Sequence, residues 1–467
     1  MRFAALLLGL LFVLPPALSA REAPPPTASP PLAVPGLLEA HLDPAHWIRA
    51  LAEPDRVVLT PAQIAAQNAR MRTEDRSIID VGGLPARLEG TRVRGWIEAL
   101  SQLPERQLFD ERGAPVARDD LERIAANIDL AAVPDSQATR HGMVVRRAAL
   151  RTFPTRLRVF NSPDDHDIDR FQESALFPGD AVAIVHESAD GDWYFVASER
   201  YAAWIERQYV AEGDRGAILE YGRRAPFLVV TGAIATTVHT PENPAVSDVR
   251  LEMGVRVPVL AGRPATDAVN GQLPVAHHVI ELPARDAEGR LSFQPALLPR
   301  SADVASDYLP LTEANLLRQS FKFLGERYGW GHSYDARDCS GFASEIYRSF
   351  GVLIPRNTSA QAVSPALNRL PFDAAMDHAA RVKALREARV GDLVYIPGHV
   401  MMVIGHGADG EVFAIHDTSG MSWLPEGADQ LVRLHLNGVV VTPILPMMTN
   451  ATTPTVDRIT SIQRIRP

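Results

Sequence analysis

The sequence holds a single cysteine, Cys339, and so cannot close a disulfide within itself. It has no basic excess: 47 lysines and arginines stand against 56 aspartates and glutamates, for a formal net charge of -9. That balance offers no positive face to phosphates, so no nucleic-acid partner is expected. No His-Glu-x-x-His stretch occurs, which removes the readiest signature of a metal-dependent peptidase, and no cofactor or metal is expected. Nor is there a run of ~20 uninterrupted apolar residues, so no stable membrane insertion is expected. Core-forming residues are plentiful, however. Apolar content of 46% with 22% charge lies in the ordinary globular range, and 467 residues point to about three domains.

Residues 1–20 begin Met1-Arg2, run through apolar residues 3–14 and end in Ala17-Leu18-Ser19-Ala20, the pattern of a signal peptide. No cysteine stands at the cleavage site to carry a lipid. The expected protein is therefore exported, periplasmic or extracellular, and free of the membrane. Exported proteins usually pair their cysteines, so a lone thiol there has two readings: an inert buried filler or a nucleophile. Its neighbours decide between them.

The proline-rich stretch 21–36, with Ala-Pro-Pro-Pro and Ser-Pro-Pro, reads as an extended linker. Residues 37–137 read as a helical domain. Thr60-Pro61 has the form of an N-cap with proline at the first helical position, opening a helix over 62–72, and periodic stretches follow over 93–103 and 121–130. From residue 138 short runs of valine, isoleucine and aromatics alternate with turns. Segments 181–186 and 193–197 flank Asp190-Gly191, a strong hairpin signal. Two small β-barrels in tandem, 138–212 and 213–300, fit this spacing. Residues 301–467 mix helical patterns at 311–328 and 341–350 with strands at 392–396, 400–404 and 412–416, an α+β arrangement.

Asp338-Cys339-Ser340-Gly341 precedes Phe342, Ile346 and Phe350, which fall on one helical stripe. Cys339 then lies in the first turn, where unpaired amides and the helix dipole favour a thiolate. Asp338 is a credible N-cap, and its own charge opposes that ionisation. A thiolate needs a base that also serves as proton donor, and histidine suits both tasks. Among 14 histidines, His399 opens one strand pattern and His416 closes the next. A loop over 405–410 with Ile404 facing Glu411 puts the two directly opposite, His416 orienting His399. A tight turn at Asp409-Gly410 shifts that register.

These motifs together resemble the NlpC-type family of cell-wall cysteine peptidases. The resemblance rests on Tyr328-Gly329-Trp330-Gly331, Asp338-Cys339-Ser340-Gly341-Phe342, Pro355-Arg356-Asn357-Thr358, Gly391-Asp392-Leu393-Val394 and Gly398-His399-Val400. It covers residues 301–442 strongly and extends to the β modules, which look like bacterial SH3 domains in Phe171-Gln172-Glu173-Ser174 and Asp192-Trp193-Tyr194-Phe195-Val196. One departure is His332, where a second glycine commonly follows Trp-Gly. The resemblance implies a multidomain fold, with a papain-like α+β core behind two SH3-like barrels and an N-terminal helical domain.

It further implies Cys339 as nucleophile, His399 as base, His416 as the orienting third residue and Tyr328 beside the Cys339 amide at the oxyanion. Members with SH3 domains ahead of this core are similar to γ-D-glutamyl-L-diamino-acid endopeptidases acting on peptidoglycan-derived peptides with a free terminal L-alanine. The residues implied for substrate are Asp338, as partner of the alanine ammonium, with Ser340, Trp330, Glu173 and Tyr201. Two other classes stay open: an amidase or acyltransferase on another cell-wall amide or ester, and a wall-binding protein with a vestigial core.

Overall fold

The computed structural model describes residues 33–264 and 266–466. The expected signal peptide, and all but the last four residues of the proline-rich linker, lie outside the described residues. The rest is multidomain and mixes helix with strand.

The C-terminal unit is built on a six-stranded antiparallel sheet in the order Asn368–Pro371, Ser461–Arg464, Leu393–Ile396, His399–His406, Val412–Trp423 and Val432–Pro443. Alternation along His399–His406 divides its side chains between two cores. Val400, Met402 and Ile404 pack with Phe342, Ile346 and Phe350 of the helical layer, while Met401 and Val403 join Leu385, Val394, Ala414 and Ile462 on the other face. The helix Cys339–Arg348 thus lies on the sheet, N-terminus toward the start of the His399 strand.

The helix expected over 311–328 is shorter. Leu311–Thr312 is a strand, Thr312 caps the helix Glu313–Phe321, and the chain then leaves helical geometry. Edge pairing wins over helix propensity there. Gly325 N donates to Val439 O at 2.9 Å and Tyr328 N to Asn437 O at 3.1 Å, so 325–328 runs along the exposed edge of Val432–Pro443 and delivers Tyr328 to the site.

Seven strands between Arg140 and Glu212 form one antiparallel sheet around a core of Val144, Leu150, Val182, Val196 and Ile205. Its hairpin Ala181–Glu187 to Trp193–Ser198 turns at Asp190-Gly191, with Gly191 at φ 73°. The following unit, 227–305, is made of three small sheets around Val230, Leu251, Val257 and Leu298, and its core takes in Ala175 and Phe177 of the preceding sheet.

Residues 37–137 carry the expected helices at Pro61–Glu74, Gly90–Leu100 and Arg118–Ala126, the first capped by Thr60, whose hydroxyl accepts from Gln63 N. Their apolar residues divide between two cores, each shared with a neighbouring unit. Trp47, Leu59, Ile64 and Met71 pack into the C-terminal unit, whereas Val93, Ile97 and Leu121 pack against Phe153, Phe195 and Trp204. Val57–Leu59 pairs with Leu311–Thr312, and a Cβ on Gly405 would stand 2.6 Å from Trp47. The segment is a clasp around both units. Among the described residues no helix is long and apolar enough to cross a membrane.

Candidate active site

Cys339 opens its helix and is 5% exposed. Asp338 is the N-cap and accepts from Gly341 N at 2.7 Å. Burial pushes the Cys339 thiol well above its ordinary range, the Asp338 charge adds to this, and the Val400 amide facing the sulfur opposes both. Burial and Asp338 thus oppose the ionisation that the helix N-terminus favours. Cys339 rests as a thiol and loses its proton only to a base.

His399 is half-buried at the start of its strand, and its Nε2 lies 2.7 Å from Nδ1 of the fully buried His416. The pair is not directly opposed. Met402 faces Ile415, which sets His416 beside Met401, and a bulge between Val403 and Gly405 carries the strand on to His406 before the turn. The slip from the expected register is two residues. A slip of one would have put the rings on opposite faces, whereas two keeps them on the same face as diagonal neighbours.

His416 Nε2 lies 2.8 Å from Thr442 Oγ1, which in turn is 4.0 Å from the Met447 sulfur. Thr442 therefore has a weak acceptor for its own proton and can accept from His416 Nε2–H. His416 Nδ1 is then an acceptor, His399 donates through Nε2–H, and His399 Nδ1 carries the lone pair a base needs. Burial pushes His399 down to about 4, partly offset by Asp338, and pushes His416 well down, with His399 adding to the effect. Both rings are neutral at neutral pH.

Tyr328 is buried, and its hydroxyl is raised far out of the neutral range by burial and by Cys339, Asp338 and Asp417. It stays a donor. Asp338 is saturated: Oδ1 accepts from Gly341 N, Ser340 Oγ and Arg356, while Oδ2 accepts from Gly331 N at 3.0 Å and from Arg356 at 2.8 Å. Burial would raise this carboxyl, but Arg356 and His332 hold it down to about 2. Ser340 is likewise internal, accepting from Arg356 at 2.9 Å. No lone pair of Asp338 remains for the substrate ammonium that the resemblance implied.

His332 adopts φ 65°, left-handed geometry that explains why glycine suits the position. Its ring is held by Glu345 at Nε2 (2.8 Å) and by Arg356 donating to Nδ1 (2.9 Å), and burial with Arg356 pushes it down to about 4. Sequence reasoning gives Arg356 no role, although its motif is visible. It reaches Ser174 at 2.7 Å, and so ties the preceding β unit to the site.

The strand Gln172–Leu176 completes the dock. Trp330 Nε1 donates to Gln172 O at 3.0 Å, and Gln172 Nε2 donates to Gly331 O at 2.7 Å. Glu173 accepts from Thr152 at 2.6 Å and from the Tyr201 hydroxyl, while Tyr201 also meets Asn357. Arg337 joins the units from below through Glu326, Glu345 and Glu252 of the second β unit. The structure therefore gathers Tyr328, Trp330, Asp338, Cys339 and Ser340 with Glu173 and Tyr201, and it couples His399 to His416. Among the described residues no cluster of three His, Cys, Asp or Glu side chains could hold a metal ion.

Asp417, which sequence reasoning missed, follows His416, has no exposed surface, and neither carboxylate oxygen has a hydrogen-bond partner. Burial, then Asp338 and Glu326, push it up to about 9, so it is a neutral acid at pH 7. In the unfolded chain it ionises near 3.8. The folded state therefore holds a proton that the unfolded state has lost between these values, and stability falls as pH rises from about 4 to about 9. Asp417→Asn is expected to raise Tm at pH 8 more than at pH 4, by roughly 2–4 °C per kcal/mol recovered. Melts at the two pH values measure this, and an equal gain at both would reject the buried acid as the cause.

Residues 325–422 match the NlpC/P60 family, and residues 158–206 match the SH3 domain of SH3b1 type. The unit that carries Cys339 is thus similar to NlpC/P60 domains over residues 325–422. Its site and the SH3 domain ahead of it are the two parts that Arg356, Trp330 and Gln172 bind together. An NlpC/P60 endopeptidase from Photobacterium damselae subsp. piscicida superposes with a TM-score of 0.72 at 18% identity, covering 91% of this chain and 96% of that one. The fold is thus shared over nearly the whole length, including the segments flanking the NlpC/P60 domain. An NlpC/P60 family protein from Bacillus cereus matches with a TM-score of 0.46 at 20% identity, covering 70% of this chain and all of that one. No curated protein matches the chain in sequence.

Proposed function

We propose that the protein is an exported cysteine endopeptidase that hydrolyses the γ-D-glutamyl-diamino-acid amide of murein peptides bearing a free N-terminal L-alanine. The observation that carries this reading is a thiol at a helix N-terminus, facing the Val400 amide next to a neutral His399–His416 pair, with a carboxylate, Glu173, on the strand that docks against Trp330 and Gly331. The Photobacterium protein that shares the fold is an NlpC/P60 endopeptidase, which agrees with it.

His399 Nδ1 takes the Cys339 proton as the sulfur bonds to the scissile carbonyl carbon and the carbonyl π electrons move to oxygen. The Cys339 amide and the Tyr328 hydroxyl are the donors for that oxyanion. Collapse breaks the C–N bond, and His399 returns its proton to the departing amine. Water, deprotonated by His399, then cleaves the thioester and restores the thiol.

Asp338 is fully engaged by Arg356 and backbone amides, so its role is to hold the cleft rather than to bind ammonium. Glu173, with Tyr201, is the carboxylate assigned to the alanine ammonium. An N-acetyl cap removes that charge and strands Glu173. Hydrolysis of acetylated L-Ala-γ-D-Glu-diaminopimelate is therefore expected to fall at least about tenfold relative to the free tripeptide, with Glu173→Gln losing most of the preference. Equal rates in the unmutated protein would remove the ammonium pocket, and an amidase or acyltransferase without that requirement would become the better reading.

A further inference from the structure

Arg356 is buried, and every proton of its guanidinium has an acceptor. Nε donates to Ser174 Oγ of the SH3 domain at 2.7 Å. Nη1 donates to Ser340 Oγ at 2.9 Å and to Asp338 Oδ1 at 3.1 Å, and Nη2 donates to Asp338 Oδ2 at 2.8 Å. The remaining acceptor is His332 Nδ1, 2.9 Å from Nη2. A guanidinium cannot accept, so this contact fixes the tautomer: Nδ1 bears the lone pair and Nε2–H donates to Glu345 at 2.8 Å. Glu345 also accepts from Arg337 at 2.6 Å, and Arg337 reaches Glu252 of the second β unit at 2.5 Å. His332 is thus the middle link of a buried chain from Ser174 to Glu252.

The ring also lies against the helix that presents the sulfur. A Cβ on Gly341, in the first turn, would stand 2.7 Å from His332 Cε1 and 2.9 Å from Nε2. The charged groups facing the ring are Arg356, Glu345 and Asp338, with Arg337 behind Glu345, and Phe177 meets it edge-on with centroids 5.8 Å apart. Burial, with Arg356 adding to it, pushes His332 down to about 4, so its lone pair is present at neutral pH. Histidine accepts left-handed backbone here, φ 65°, which glycine would adopt freely. Glycine, however, offers no acceptor to Arg356 and no donor to Glu345.

We propose that His332 is a positioning residue for the nucleophile: its Nδ1 completes the acceptor set of Arg356 and so fixes the guanidinium that holds Asp338 and Ser340, the residues on either side of Cys339. This rests on the peptidase reading above and deepens it. Without Nδ1, one Nη2 proton has no partner in a site closed to water. The guanidinium turns to recover one, and its grip on the first turn of the Cys339 helix loosens.

The test compares the full-length protein with His332→Gly and His332→Asn, by tripeptide kinetics and by alkylation of Cys339 with iodoacetamide at alkaline pH. Asparagine tolerates left-handed backbone and offers Oδ1 to Arg356. In His332→Gly, kcat is expected to fall roughly ten- to hundredfold with KM within about twofold. Alkylation should slow by about tenfold, because an Asp338 charge no longer matched by Arg356 opposes thiolate formation. In His332→Asn both rates should stay within about threefold of the unmutated protein. A folded His332→Gly with unchanged kcat and alkylation, or a loss confined to KM, would overturn the assignment. So would a His332→Asn that is folded by circular dichroism yet slowed more than about tenfold, a result that decides even where His332→Gly does not fold. A residue that serves packing alone would lower Tm in both variants and leave both rates in place. Alkylation needs no turnover, so the peptidase reading fails separately, when a protein whose Cys339 is alkylated hydrolyses no murein tripeptide.

Discussion

Cys339→Ala is expected to abolish amide hydrolysis while leaving the fold intact, and Cys339→Ser to leave at most a trace. The chain has no second thiol to substitute. Alanine removes one sulfur from a site lined by Phe342, Val400 and Tyr395, a small change beside the large core cluster to which it belongs. Loss of a covalent nucleophile removes on the order of 10⁶-fold in rate, where loss of an orienting group removes far less. Serine has a still higher pKa than a thiol already raised by burial and Asp338, so His399 cannot deprotonate it usefully. Iodoacetamide should inactivate the enzyme with one equivalent incorporated, and slowly at neutral pH because the resting group is the thiol. The checks are tripeptide turnover, circular dichroism of the variants and mass spectrometry of the labelled protein. Turnover by the alanine variant would end the thioester mechanism, and fast labelling at pH 6 would show a resting thiolate that the burial of Cys339 argues against.

The parts of the site carried by local sequence were legible. Asp338-Cys339-Ser340-Gly341 announces a capped helix because capping and the Phe342, Ile346, Phe350 stripe depend on residues within three turns of one another. The two histidines were legible for a looser reason: strand parity survives an even register slip, so they met although the turn was misplaced. Partners from distant segments were not legible. The C-terminal strand Ser461–Arg464 inserts between Asn368–Pro371 and Leu393–Ile396, a choice made by sheet pairing and not by anything in its own residues. The saturation of Asp338 was hidden because Arg356 reaches back to it across the loop that follows the helix. The helices at 37–137 were visible as helices, but the cores that their apolar faces join lie in two different units. Thr442 and Asp417 carry no motif; one becomes functional, and the other destabilising, only through burial beside His416.

The two histidines should separate in both rate and pH dependence. His399→Ala removes the proton acceptor and donor and should cost about 10³-fold or more in kcat with little change in KM, the scale of general acid-base catalysis. His416→Ala leaves the base in place but frees its ring to rotate and admits solvent beside it, so a loss of roughly ten- to hundredfold is expected. The pH profile carries the stronger discrimination. His399 is held neutral down to about 4 chiefly by burial, against an ordinary value of 6.5. As the free base it is active above its pKa and lost as pH falls through it, so the acid limb of kcat/KM for the intact protein should lie near pH 4. Opening the space that His416 fills relieves that burial, and the limb should move up toward 6.5 in His416→Ala. Thr442→Val is the finer probe: it removes the acceptor of His416 Nε2 at 2.8 Å, leaves a buried N–H unpaired and releases the tautomer, but keeps both rings. Its loss in kcat should be smaller than that of His416→Ala, with stability reduced by about 1–3 kcal/mol. An unmoved acid limb in His416→Ala, or a rate loss exceeding that of His399→Ala, would transfer the proton-transfer role from His399 to His416.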